Sequence, residues 1–147
     1  MQDSAIAPAT PTPSLLVRLA AMVYESLLVT AVVFVASFIV LPFVGDLKTP
    51  WQRHFFQAWI LLVLFVYFGA FWLRSGQTLA MKTWRIRLVN RQGTPLSLRQ
   101  AAGRFVLALL GLMLGGAGFL WALVDRDRQF LHDRLMGTRL VRVERKA

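Results

Sequence analysis

Glu25 is an acid set inside a long apolar stretch, Leu15 to Leu41, whose other charged residue is Arg18. A charged side chain near mid-bilayer costs on the order of 2.5–3.5 kcal/mol on insertion scales, so such an acid is expected to face a partner, a water-filled cavity or a proton pathway. Arg18 stands about 10 Å of helix rise before it, on the same helical face. Arg104, at the start of a later apolar run, is the second basic residue able to approach Glu25, from a neighbouring helix. Two chemistries follow. Glu25 either fixes helix packing through an ion pair or hydrogen bond, or carries a proton or cation. Ser26, Thr30 and Ser37 form a stripe beside it, with hydroxyls expected to bond back to their own helix.

Elsewhere the reactive residue types are sparse. Asp125-Arg126-Asp127-Arg128 and His132-Asp133-Arg134 alternate in charge and read as an ion-paired interfacial helix, since they lack the spacing of metal ligands. His54 falls in an expected loop. With no cysteine and only two histidines, the chain offers no thiolate site and no convincing nucleophile–base pair. No phosphate-binding or dinucleotide fingerprint occurs. The expectation is a non-enzymatic protein with no cofactor and no metal.

The segments that position these residues are mostly apolar. Hydrophobic residues make up 56% of the chain and charged residues 16%, against about a quarter charged in a typical soluble domain. Lipid is therefore the expected surroundings. The net charge of +10 lies beside apolar segments, where it suits anionic headgroups rather than nucleic acid. Residues 1–14 are polar and proline-containing, with neither a basic leader nor a cleavage site, and read as a disordered tail before a retained anchor. Residues 15–143 form the expected membrane domain and 144–147 a short tail.

Within that domain the first run, Leu15–Leu41, is long enough to span, with Ser14 as N-cap and Pro42 as stop. A loop over Phe43–His54 precedes an uncharged second run, Phe55–Leu73. Trp51, Trp59 and Trp72 lie towards its ends, as interfacial indoles do. Arg74 to Arg104 holds seven basic residues and no acid. There, Trp84–Leu88 alternates apolar and basic like a strand, Asn90–Gly93 supplies a turn, and Ser97 with Gln100 makes a capping box that starts a helix near Leu98. The third run, Phe105–Val124, is rich in glycine, and Gly111 and Gly115 have the spacing of a close helix contact. It either spans, or re-enters by breaking at Gly115-Gly116. The basic residues on both flanks favour re-entry, because positive loops stay on the cytoplasmic side. A second strand, Arg139–Val143, would then pair with Arg85–Val89 on that side.

Arg18-Leu19-Ala20-Ala21 with Glu25, Gly76-Gln77-Thr78-Leu79, Arg87-Leu88-Val89, Gly93-Thr94-Pro95-Leu96-Ser97 and Leu131-His132-Asp133-Arg134-Leu135-Met136-Gly137-Thr138 together resemble the RDD family of bacterial membrane proteins. The resemblance covers nearly all of Ser14–Val143. It implies that Arg18 is the family arginine and Asp133 its second aspartate, while Glu25 stands where the family has the first. It also implies a location in the bacterial inner membrane. Some members are proposed to act in sodium–proton antiport.

The resulting expectation is a mainly α, multi-pass helical membrane protein. It has two clear transmembrane helices, a third Gly-rich segment that spans or re-enters, a short cytoplasmic β pairing and a cytoplasmic N-terminus. Arg18, Glu25, Arg104 and Asp133 are the candidate functional residues. Transport of a cation or proton, or support of it, is the leading function. The rival is a non-catalytic adaptor that binds a protein or anionic lipid through its basic loop. The expected partners are the bilayer and a further copy or another membrane protein, with no nucleic acid.

Overall fold

A computed structural model of the protein describes residues 12–125 and 130–143. Residues 1–11 of the expected N-terminal tail and the C-terminal tail, 144–147, lie outside the described residues, as do Arg126, Asp127 and Arg128.

Helix α1 (Leu15–Val44) begins where the Ser14 hydroxyl accepts a hydrogen bond from the Val17 N–H at 3.4 Å. It runs through Pro42 rather than stopping there. Proline lacks an N–H, so the helix forgoes one bond in its last turn, a local loss that does not end it. The chain leaves the helix three residues later at Gly45, whose φ of +85° is open to glycine, and the Gly45 N–H closes on the Leu41 carbonyl at 2.9 Å.

Helix α2 (Pro50–Arg74) also starts earlier than the apolar pattern predicts. Pro50 occupies the first helical position, where its missing donor costs nothing. The Gln52 side chain accepts from the Thr49 N–H at 3.0 Å and donates to the Val44 carbonyl at 2.7 Å. This polar clasp shortens the connection to a tight turn and puts Trp51 and His54 on the helix rather than in a loop.

Both helices are long and apolar enough to cross a membrane. Their outer faces show Leu27, Phe34, Phe38, Leu62 and Val66, which the core helix of a water-soluble protein would bury. Between them, the Trp59 indole donates to the Ala36 carbonyl at 3.1 Å. As expected, Ser26, Thr30 and Ser37 donate to their own helix, to Val23, Ser26 and Val33 respectively, each at 2.7 Å.

A short helix, α3 (Leu79–Thr83), leads into β1 (Ile86–Asn90), which pairs antiparallel with β2 (Thr138–Arg142) in the register Ile86↔Arg142 to Asn90↔Thr138. The pairing matches the predicted partners within one residue. Ile86, Leu88 and Leu140 turn into a core with Ala21, Trp72, Met81, Leu96, Ala101 and Phe130. Gly76 allows the strand to approach: it has φ +67°, its carbonyl accepts from the Leu88 N–H at 2.8 Å, and a Cβ there would meet the Leu88 oxygen at 2.5 Å.

Helix α4 (Leu98–Met113) opens on the predicted capping box, with the Ser97 N–H donating to Gln100 Oε1 at 3.1 Å and the Gln100 N–H donating to Ser97 Oγ at 3.3 Å. It ends before Gly115 and Gly116, at φ +75° and +82°, and the chain doubles back through α5 (Ala117–Leu120) and a 3-10 turn (Trp121–Leu123). A Cβ on Gly111 would lie 3.2 Å from the Gly118 Cα. Gly111 is thus used inside this hairpin, against Gly118, rather than with Gly115 in a helix–helix contact. Helix α6 (Leu131–Met136) then returns to the core and ends at Gly137, in the left-handed conformation.

Candidate functional site

Two acids meet the core end of the helices in different ways. On α1, the half-buried Glu25 carboxylate accepts a hydrogen bond from Tyr67 Oη of α2 at 2.9 Å and another from Thr78 Oγ1. Thr78 caps α3, and its oxygen also accepts from the Met81 N–H at 3.3 Å. One hydroxyl therefore joins the carboxylate to the first turn of a separate helix. Among the described residues no ion pair includes Glu25. The basic neighbours expected for it are engaged elsewhere. A separation of seven residues does put Arg18 on the same face, but about two turns away, while the carboxylate is taken by Tyr67 and Thr78.

The second acid, Asp133 on α6, is 0% exposed and forms an ion pair with Arg104 of α4, itself 5% exposed. Thr138 Oγ1 donates to Asp133 Oδ1 at 3.3 Å, and the Arg104 guanidinium lies 4.9 Å from the Trp72 ring centroid. Trp72 is therefore part of the core and not an interfacial anchor. A buried ion pair holds α4 to α6 because separating the partners strands a charge away from water. Arg18, 1% exposed, places its guanidinium 5.4 Å over the Phe130 ring. Phe130 in turn stacks on His132 at 5.5 Å.

His132 and Asp133 are buried, which corrects the expectation of an interfacial charged helix. Of that expectation, the described residues contain an Arg134–Asp125 ion pair. Burial, and secondarily the Arg104 charge, push the His132 imidazole down to about 2. It is neutral across the physiological range, and at 4.0 Å from Asp133 Oδ1 it is not a charged partner for that acid.

Tyr67 and Thr78 escaped the sequence reading. The usable signal was a phenol tip in an uncharged apolar run, and a threonine placed to cap a helix too short for periodicity to reveal. Chemically, a carboxylate with two hydroxyl oxygens is a donor set for a proton or a hard cation. Among the described residues no three His, Cys, Asp or Glu side chains converge.

Comparison with protein-family models matches residues 12–137 to the model described as RDD family. No curated protein and no solved structure gives a match.

Proposed function

This chain belongs to the RDD family, and from that premise we propose a bacterial inner-membrane protein that carries a proton or a small hard cation, or supports its transport, with Glu25 as the carboxylate that meets it. One observation carries the reading. The Glu25 carboxylate is held by Tyr67 and Thr78 hydroxyls, while Arg104 is taken up by Asp133. An acid neutralised by arginine has little use for a proton. An acid held by hydroxyls keeps its charge free to be met by a proton or cation that arrives and leaves.

In this reading α1 and α2 are spans, and α4 with α5 re-enters and turns back at Gly115–Gly116. The N-terminus, the basic 74–104 segment and the β1–β2 pair then lie on the cytoplasmic side. Pairing of the two strands supports that placement, since it brings both basic segments to one end, as the positive-inside rule favours. Two spans and a hairpin make a thin pathway, so the proposal includes assembly with further copies.

Purified protein in proteoliposomes is expected to move sodium or protons down an imposed gradient, and Glu25→Gln is expected to abolish the flux while inserting and folding normally. Absence of flux in the wild type would overturn the transport reading. Undiminished flux in Glu25→Gln would remove Glu25 from it.

A further inference from the structure

Where α2 ends, α3 and the turn into β1 form a corner that exposes apolar and basic side chains together. Ala80 and Met81 bury one face of α3, and the residues around them point outward: Leu79 is 47% and Trp84 40% exposed. Arg74, Lys82 and Arg85 are exposed beside them. Their proximity follows from the backbone. Lys82 Nζ lies 6.0 Å from the Phe71 ring centroid, and Arg74 follows Phe71 by the spacing of neighbours on a helix face. The Arg85 N–H donates to the Lys82 carbonyl at 3.3 Å. Arg85 also holds φ +52°, a conformation that long side chains rarely adopt, and it marks the sharp exit from α3. Among the described residues, none of these three cations has an acid partner.

We propose that this corner docks the headgroup of an anionic phospholipid, with Arg74, Lys82 and Arg85 around the phosphate and Leu79 and Trp84 entering the acyl boundary. Depth argues for lipid over other anions. The apolar run of α2 stops at Arg74, which puts the cations at the level where headgroups begin. An exposed indole with a leucine is the pairing that such a boundary favours. Basic residues at this level draw anionic lipid by charge. A nucleic acid or an acidic peptide would meet the cations but leave Leu79 and Trp84 in water.

The test is native mass spectrometry of the full chain released from nanodiscs of phosphatidylcholine mixed with phosphatidylglycerol. Wild type is expected to retain phosphatidylglycerol preferentially. The triple variant Arg74→Gln/Lys82→Gln/Arg85→Gln is expected to weaken that preference by about a hundredfold. The charge-preserving Arg74→Lys/Arg85→Lys variant should keep it, as should Arg53→Gln, altered at the opposite end of α2. Thermal melts confirm that each variant folds, and if the triple variant does not, Lys82→Gln and Trp84→Ala singly are each expected to weaken retention. Equal retention of both lipids by the wild type overturns the proposal, as does full preference in the triple variant. Displacement of the lipid by inorganic phosphate or by an acidic peptide would assign the corner to a soluble anion instead. Ion flux plays no part in this readout, so its outcome is separate from that of the Glu25 proposal.

Discussion

Glu25 and Asp133 are both acids removed from bulk water, yet they are satisfied in different ways. Asp133 is sealed and neutralised by a cation, Arg104, with Thr138 as a further donor. Glu25 is half-buried and held by two hydroxyls. The first arrangement suits a permanent joint, since removing either partner isolates a charge. The second supplies no fixed counter-charge among the described residues, only hydroxyl groups that can reorient. The contrast is between an acid locked by a buried counter-charge and an acid held by hydroxyls alone among the described residues.

The largest effect tests the joint. Asp133→Asn should destabilise the protein by about 3–5 kcal/mol by leaving Arg104 buried without its counter-charge. Unfolding in detergent measures this, and the double variant Arg104→Met/Asp133→Leu should recover much of the loss. A cost under about 1 kcal/mol would place Asp133 in the same class as Glu25.

Next comes acid sensitivity on the Asp133 side. His132 has its pKa lowered from 6.5 in the free side chain to about 2 in the fold, so below pH 6.5 the unfolded chain binds more protons. Stability is then lost as pH falls, by up to about 1.4 kcal/mol per pH unit. His132→Gln should flatten the slope between pH 6.5 and the acid transition, even if its stability at neutral pH is lower. An unchanged slope would show that the imidazole is accessible to protons in the fold.

The smallest change falls on the Glu25 side. Tyr67→Phe should cost about 1.5 kcal/mol, the low end for a hydrogen bond to a charged group that is only half-buried. A loss as large as that of Asp133→Asn would erase the contrast.

Much of the scaffold could be read from local chemistry. Ser97 with Gln100 and the paired glycines at 115–116 act through near neighbours, the two strands show their alternation locally though they pair at long range, and the fold uses each where the sequence implies. Pro42 misled because a proline in the last turn of a helix loses one bond rather than the helix. The start of α2 was missed because Gln52 and Pro50 cap it from within a polar stretch. Candidate residues were identified by type, but their partners were not. Arg104 could be foreseen as buried beside an acid; that the acid is Asp133 depends on α4 meeting α6, a tertiary fact with no periodic signature. Tyr67 lies far from Glu25 in the chain, and the helix packing that joins them leaves no mark at either position.

The order in which the chain leaves the ribosome bears on the β1–β2 pair. Ile86–Asn90 is made long before Thr138–Arg142, its partner, and everything from α4 to α6 is synthesised in between. Until β2 arrives, β1 has an open hydrogen-bonding edge beside apolar Ile86 and Leu88. Closure of this part of the fold therefore waits until β2 is made, and a chaperone or translocon that shields a nascent strand edge would act on this protein after both long helices are in place.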